Sequence, residues 1–318
     1  MVKKEALYFD SRDGINKIHA VRWIPEGEPK AVLQIVHGMA EYVGRYDEFA
    51  VMMAERGFLV VGEDHLGHGL SVPEDGAFGY FCENDPATVV VRDVHRLKKL
   101  TQQEYPGLPY FIMGHSMGSF ITRNYLCKYG TGIDGAIIMG TGMQKKALVS
   151  SAKKMAAVQK IIHGSSYVST VLDKAAFGLY NKKIENPKTD FDWLSKDEKK
   201  VEEYINDPFC GFTFTVNGFQ TLFELIWRLY KQENLEKMPK ELPVMFASGT
   251  DDPVGDYFEG VERAIESFKE VGMQDITVKK YETGRHELLN EPEWKEIAED
   301  IYSWLSEKLA AVEAADEE

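Results

Sequence analysis

The chain has 318 residues, 44% of them hydrophobic, so it can bury the core of one large domain or of a domain with an insertion. Its 51 acidic and 37 basic residues give a net charge of −14, which argues against nucleic-acid binding and against general attraction to anionic membranes. The cysteines Cys82, Cys127 and Cys210 lie far apart without metal-ligand spacing, and no apolar run approaches the length of a membrane span, about 18 residues. These features predict a cytoplasmic protein with free thiols.

Short apolar runs and turn residues alternate through the first sixty positions. Asp13-Gly14 and the segment 25–29 supply turns, and Gly57 ends a stretch in which apolar residues have helical spacing. The predicted elements here are strands at 6–9, 17–23 and 31–36, a helix at 49–56 and a strand at 58–61.

The next eighty residues continue this alternation with longer helices. Asp85-Pro86 predicts a helix start, with Asp85 as the N-cap and Pro86 at the first helical position, and the helix is expected to run to about Glu104. A buried strand at 110–113, a helix ending near Tyr129 and a strand at 136–139 follow. Alternating short strands and helices of ten or more residues predict an α/β protein with a mostly parallel sheet covered on both faces.

The alternation stops after Gly142. Residues 143–238 have a helical pattern without a buried strand, after which strands at 243–247 and 276–281 and helices at 257–271 and 293–309 are expected. The sequence therefore predicts an α/β core formed by 1–142 and 239–318, interrupted by a helical cap at 143–238. The acidic tail from Glu313 is expected to fray.

Gly114-His115-Ser116-Met117-Gly118 is the most informative motif of the chain. It lies between an apolar strand and a helix, the context in which G-x-S-x-G forms a strained turn that exposes a nucleophilic serine. Glycines on both sides allow the strand and the helix to approach each other closely. The motif predicts Ser116 as a catalytic nucleophile.

A serine nucleophile needs a base and a carboxylate that orients this base. His286 follows the last predicted strand and is expected at the carboxyl edge of the sheet, where active sites of open α/β sheets form. Asp251 and Asp252 follow the penultimate strand, and spacing alone does not distinguish between them. The order serine, aspartate, histidine is that of α/β hydrolases.

The developing oxyanion of an acyl-transfer reaction needs hydrogen-bond donors in fixed positions. The backbone N–H of Met117, directly after the nucleophile, is one predicted donor. The other is the N–H of Met39 in the loop after the strand at 31–36, where Gly38 lets the backbone come close. Taken alone, His37-Gly38 could equally be an ordinary turn at the end of a strand.

Five motifs together resemble α/β hydrolases in order and spacing: His37–Glu41, Asp64–Ser71, Gly114–Gly118, Gly249–Val254 and Arg285–Glu287. The chain is most similar to the branch of monoacylglycerol lipases, bacterial lysophospholipase-like esterases and serine aminopeptidases, over about 1–142 and 239–309. The resemblance implies an α/β-hydrolase fold with a helical cap over the site. It also implies Asp252 as the catalytic acid and a structural role for the turn that begins at Asp64.

The cap carries two features that bear on substrate binding. An aromatic stretch suits an acyl-binding tunnel or the packing of the cap onto the core, with Phe212, Phe214 and Phe219 as candidate substrate-binding residues; it comprises Phe209, Phe212, Phe214, Phe219, Phe223 and Trp227. An amphipathic segment is a candidate lid for transient contact with a lipid surface, formed by Met155, Ala156, Val158, Ile161 and Ile162 beside Lys153, Lys154 and Lys160.

The predicted function is a serine carboxylic-ester hydrolase that acts on lipid-like esters such as monoacylglycerols or lysophospholipids and needs neither a metal nor an organic cofactor. One alternative is a proline iminopeptidase or aminopeptidase, whose substrate amine would need an acidic partner such as Glu185, Asp190, Asp192, Glu202 or Glu203. A non-catalytic binding protein of the same fold is the other alternative, but all parts of the catalytic set are present.

Overall fold

The computed structural model describes residues 1–316 and contains one eight-stranded sheet in the order β1-β2-β4-β3-β5-β6-β7-β8. β1 and β2 are antiparallel, as are β2 and β4, and the remaining neighbours are parallel. The strands are β1 Lys3–Asp10, β2 Lys17–Ile24, β3 Ala31–Val36, β4 Phe58–Glu63, β5 Tyr110–His115, β6 Gly135–Met139, β7 Val244–Gly249 and β8 Ile276–Tyr281. The predicted mostly parallel α/β sheet is thereby confirmed.

Helices cover both faces of this sheet, as the alternating pattern predicts. Along β3 and β5, Val32 and Ile112 enter one hydrophobic core while Leu33 and Phe111 enter the other, because successive side chains of a strand point to opposite faces. The helices are α1 Asp47–Glu55, α2 Pro86–Glu104, α3 Met117–Tyr129, α4 Lys146–His163, α5 Thr170–Phe177, α6 Glu198–Asn206, α7 Val216–Arg228, α8 Gln232–Leu235, α9 Glu259–Glu270 and α10 Trp294–Asp316.

Three local predictions differ from the structure. Asp85 lies in the left-handed region at φ 44°, and its carboxylate accepts from Arg228 at 2.8 Å instead of capping α2. α9 begins two residues later than predicted because Asp256, Tyr257 and Phe258 all have positive φ. The tail expected to fray from Glu313 is helical to the end of α10, since alanine-rich sequence favours helix, and its last two residues lie outside the described range.

The segment between β6 and β7 is built from helices α4–α8. α7 packs on α4 and on the core helices α2 and α3, so this segment lies against the sheet's helical layer. Its one bridge pairs Val168 with Thr215. No helix within residues 1–316 combines the length and the apolar character needed to cross a bilayer.

Candidate active site

Ser116 lies at the turn between β5 and α3 with φ 54° and ψ −121°, a conformation that side-chain-bearing residues rarely adopt. The flanking glycines explain how the turn forms. A Cβ at Gly118 would lie 1.9 Å from the carbonyl oxygen of Val36, and one at Gly114 would lie 2.3 Å from the carbonyl oxygen of Gly118. Only glycine fits at both positions, so the motif holds Ser116 on a tight strand-to-helix turn.

His286 follows β8 and pairs with Asp252, which follows β7. His286 Nδ1 lies 3.0 Å from Asp252 Oδ2, and the two residues are 2% and 0% exposed. The other oxygen of Asp252 accepts the backbone N–H of Val254 at 2.8 Å, which fixes the carboxylate plane. Asp251 is exposed, and only its backbone N–H contacts this region, donating to Gly284 at 2.9 Å. The histidine therefore has Asp252 as its partner.

The turn of Ser116 and the loop of His286 meet above the end of β6. The rings of His115 and His286 lie 4.7 Å apart between centroids, and His115 Nε2 is 3.2 Å from the carbonyl oxygen of His286. Ser116 N–H donates to the carbonyl of Met139 at 3.0 Å. At Gly140 a Cβ would lie 3.2 Å from His286 Cε1, so the absence of a side chain there makes room for the imidazole.

The loop after β3 lies beside Ser116. A Cβ at Gly38 would lie 3.0 Å from Ser116 Cβ, so this loop reaches the serine closely. Within residues 1–316, neither the N–H of Met39 nor that of Met117 donates to another group of the chain. Two unpaired amides beside a strained serine are groups of the kind that can stabilise an oxyanion, and this role for Met39 and Met117 remains a prediction.

His37 and His65 hold this loop in place. His37 Nε2 accepts the backbone N–H of His65 at 3.0 Å, and His37 Nδ1–H donates to the carbonyl of Gly38 at 2.8 Å. Burial lowers the pKa of His37 well below its ordinary value, which keeps the ring neutral. The buried carboxylate of Asp64 likewise accepts the N–H groups of Val43 and Leu70. His37 and Asp64 thus hold the loops near the site in place by hydrogen bonds.

A buried ion-pair network behind the site was missed by the sequence analysis. Arg45 forms a bidentate ion pair with Glu287, in which Nη1 and Nη2 lie 2.6 and 2.8 Å from the two carboxylate oxygens. Nη1 also donates to Glu41 Oε2 at 2.8 Å. Glu41 Oε1 accepts the backbone N–H of Gly38 at 2.6 Å and lies 3.3 Å from His115 Nδ1. The network thus connects the Gly38 loop, the residue before Ser116 and the residue after His286.

Opposite charges balance in this network. Burial would raise the pKa of Glu41, but the hydrogen bond from His115 and the charge of Arg45 lower it overall. Burial likewise opposes ionisation of Glu287, and the Arg45 charge lowers its pKa. The pKa of His115 is raised in spite of burial, because Glu41 accepts its hydrogen bond and attracts its charge. The charge of Arg45 therefore offsets the two carboxylates, and Glu41 favours the protonated form of His115.

The lowered pKa of Glu287 predicts that this residue's contribution to the free energy of unfolding depends on pH. A carboxyl with a depressed folded pKa stabilises the fold fully above its unfolded value of 4.5, and this contribution disappears as the pH falls through the folded value. Urea unfolding of the wild type and of Glu287→Gln should show a larger stability difference at pH 7 than at pH 4. An unchanged or larger difference at pH 4 would contradict the assigned charge state.

The candidate substrate-binding phenylalanines lie between the cap and the core. Phe214 and Phe219 are fully buried, and the rings of Phe212 and Phe214 both contact His68 at 5.3 Å between centroids. Phe214 also packs against Phe81. These contacts fix the cap on the loop that contains His68, and a substrate-binding role for Phe212, Phe214 and Phe219 remains a prediction.

A second residue missed by the sequence analysis is Trp193, whose ring lies 5.1 Å from that of His286. Nothing in its local sequence indicates this contact, which joins the cap to a distant loop. Within residues 1–316, no group of three or more His, Cys, Asp or Glu side chains has the arrangement of a metal site. The chemistry available here is that of a serine, a histidine–carboxylate pair and two amides.

Known proteins share this architecture. A family model described as "Serine aminopeptidase, S33" matches residues 27–293. The monoglyceride lipase of Mus musculus is 30% identical over 296 residues, which are 92% of this chain and 88% of that protein. A monoacylglycerol lipase of Mycolicibacterium smegmatis is 28% identical over 93% of this chain and 95% of that protein. A solved thermostable carboxyl esterase from Bacillus coagulans, in complex with glycerol, superposes with a TM-score of 0.90 and is 30% identical in sequence. The match covers 97% of this chain and 100% of the esterase chain.

The family model spans most of the length of this chain, and the fold agrees with it. This chain belongs to the α/β-hydrolase family of serine hydrolases described as serine aminopeptidase, S33.

Proposed function

We propose that this protein is a serine ester hydrolase that acts on lipid-like esters, with monoacylglycerols as the foremost substrate class. The observation that carries the proposal is the buried Asp252–His286 pair beside the strained Ser116. His286 Nε2 takes the proton of Ser116 as the serine oxygen attacks the ester carbonyl carbon, and Asp252 stabilises the resulting imidazolium. The N–H groups of Met39 and Met117 hold the oxyanion.

Collapse of the tetrahedral intermediate breaks the bond to the alcohol oxygen, which leaves with the proton from His286. The acyl group stays on Ser116 as an ester. A water molecule then gives a proton to His286 and attacks the acyl carbon, and His286 returns that proton to the Ser116 oxygen as the carboxylic acid leaves. Two proton transfers through one histidine balance each half of the reaction, and no redox step occurs.

The relatives support the lipid-like substrate class. Two are monoglyceride or monoacylglycerol lipases by name, and the carboxyl esterase of similar structure was solved with glycerol. In this proposal residues 143–238 form the cap that selects the substrate, and 1–142 and 239–318 form the catalytic core. A cytoplasmic location is part of the same proposal, supported by the three cysteines, which form no disulfide in the described chain.

The proposal is tested with p-nitrophenyl esters from acetate to palmitate, with glycerol monoesters and with amino-acid p-nitroanilides. We expect ester turnover to peak at a medium or long acyl chain, and Ser116→Ala to lower kcat by at least about 10⁴-fold. Ser303→Ala, at an exposed position of α10, is the matched control and should retain turnover. Anilide cleavage without ester turnover would identify a peptidase instead. Inactivity on all three classes, with Ser116 also unlabelled by a fluorophosphonate, would leave the non-catalytic binding protein as the remaining alternative.

No contact within the described residues favours the peptidase alternative. Of the five acids that could bind a substrate amine, Glu185, Asp190, Glu202 and Glu203 are exposed. Asp192 accepts hydrogen bonds from the amide of Lys188 and the hydroxyl of Thr189, close to itself in the chain. These acids serve the cap's own surface and turns.

We also propose that one face of the cap contacts lipid surfaces. Residues 143–184 contain eight lysines and a single acidic residue, Asp173, although the whole chain is strongly acidic. Large apolar side chains are exposed on the same segment: Leu148, Val158, Ile161, Ile162, Tyr167, Val168, Val171 and Leu179. Exposed apolar groups among lysines suit an interface that carries anionic lipids.

This face differs in detail from the amphipathic segment that the sequence predicts. Ala156 is buried and Met155 packs against the core, so neither belongs to the exposed face. Lys153 pairs with Glu224 and lies over the ring of Trp227, and it is therefore already engaged. The mismatch arises because α4 turns that side towards α7, a contact that sequence periodicity alone does not reveal.

Ile161 is the most exposed apolar side chain of the cap and allows a matched test. We expect Ile161→Asp to weaken binding to phosphatidylglycerol vesicles at least about fivefold, because it removes apolar contact and adds repulsive charge. Ile15→Asp is the control, since Ile15 is 87% exposed and Ile161 85% exposed, but Ile15 lies outside the cap. Sedimentation with vesicles measures both. Equal loss in the two variants, or no binding by the wild type, would contradict the proposed face.

A further inference from the structure

Residues 191–196, here called the strap, lie on the loop that carries His286. The backbone N–H of Glu287 donates to the carbonyl of Leu194 at 2.7 Å, and that of His286 reaches the carbonyl of Trp193 at 3.4 Å. Arg285 Nη1 donates to the carbonyls of Asp192 and Ser195 at 2.7 and 2.9 Å. The residues before and after His286 therefore bind main-chain carbonyl groups of the cap.

Two further contacts secure the ends of this arrangement. Glu291 accepts the backbone N–H of Arg285 at 2.6 Å and that of Lys196 at 3.1 Å, so one buried carboxylate joins the two segments. The hydroxyl of Ser195 donates to the carbonyl of Asn290 at 2.8 Å. A segment held at this many points has little freedom to move separately from the His286 loop.

Trp193 is the strap's side-chain contact with the histidine. Its ring lies 5.1 Å from that of His286 with an interplanar angle of 42°. Tyr180 packs edge-on against the Trp193 ring, with 4.9 Å between the centroids. Burial raises the pKa of Tyr180, and the charge of Asp252 raises it further, which places this tyrosine in the same electrostatic environment as the Asp252–His286 pair. Trp193 thus restricts the rotation of the His286 ring.

We propose that Trp193 is a positioning residue that holds His286 in the orientation needed to protonate the leaving alcohol. The inference rests on the proposed ester hydrolysis. Because His286 delivers its proton to the departing oxygen, the orientation of its ring sets the distance over which that proton moves. Displacing a general acid by a fraction of an ångström lowers the rate most where the leaving group needs that proton.

Two butyrate esters with different leaving groups test this idea. A glycerol alkoxide needs a proton to leave, whereas p-nitrophenolate leaves as a stable anion. We expect Trp193→Ala to lower kcat/KM for glycerol monobutyrate about tenfold and for p-nitrophenyl butyrate by no more than about threefold. Trp193→Phe keeps an aromatic ring on His286 and should restore most of the loss.

Tyr230→Ala controls for a general loosening of the cap, because Tyr230 follows α7 and packs on Trp227. It should change both kcat/KM values by less than about twofold. Equal losses on the two esters, the absence of any loss, or the same pattern in Tyr230→Ala would overturn the role of Trp193. A wild type inactive on both esters would instead refute the proposed function, and the inference with it.

Discussion

Replacing Asp252 by asparagine will lower kcat for ester hydrolysis by about 10⁴-fold, while the same replacement at the neighbouring Asp251 will change kcat by less than about twofold. The two variants make the same chemical change at adjacent positions. Their different outcomes follow from the structure, in which only Asp252 is buried against the imidazole of His286.

The physical reason lies in the tautomer of His286. A carboxylate at Asp252 accepts a hydrogen bond only from a protonated Nδ1, which leaves Nε2 free to act as the base. An asparagine at this site can present its amide N–H instead, which favours the opposite tautomer and removes the base. It also removes the negative charge that stabilises the imidazolium.

Steady-state kinetics on the best p-nitrophenyl ester, with thermal unfolding as a check on folding, measure this pair of variants. Asp252→Glu is a useful third variant, because it keeps the charge and changes only the reach of the carboxylate. Comparable losses at Asp251 and Asp252, or full activity of Asp252→Asn, would show that His286 is not oriented as described.

Arg45→Met will destabilise the protein by about 3–5 kcal/mol, since it leaves two buried carboxylates without their shared cation. Glu41 and Glu287 are 4% and 6% exposed at their side chains, so water cannot replace the lost partner. The arginine also lies 4.8 Å from the ring of Tyr204, a contact that methionine only partly replaces.

Arg56→Met is the matched control for this variant. Arg56 forms its ion pair with Glu299, whose side chain is 54% exposed, and pairs of this kind contribute less than about 1 kcal/mol. Urea unfolding at pH 7 gives both free-energy changes. If Arg45→Met cost no more than Arg56→Met, the buried network would not hold the Gly38 loop and the His286 loop together.

The parts of the fold that could be predicted are those with a local cause. β3 and β5 are mainly apolar runs. The strained turn at Ser116 is indicated by its flanking glycines, at positions where any side chain would clash with the backbone. The placement of Ser116 and His286 at the carboxyl edge of the sheet follows from the strands that precede them, β5 and β8. Each of these features depends on neighbouring residues, which a sequence displays directly.

The remaining features depend on pairs of residues that are distant in the chain. Arg45 meets Glu287 across 242 positions. The loops after β3 and β8, which carry these residues, lie at the same edge of the sheet because the two strands run parallel to each other. The distinction between Asp251 and Asp252 depends on which side chain the turn after β7 directs inward. The contact of Trp193 with His286 requires the cap to fold back on the core, which no local pattern in residues 191–196 encodes.

The most direct test of the account is to label the protein with a fluorophosphonate and to locate the adduct by peptide mass spectrometry. The reagent reacts with serines activated by a neighbouring base, so we expect a single adduct on the peptide containing Ser116. The adduct should be absent from Ser116→Ala and strongly reduced in His286→Ala. An unlabelled wild type, or an adduct on a different residue, would contradict the assignment of Ser116 as the nucleophile.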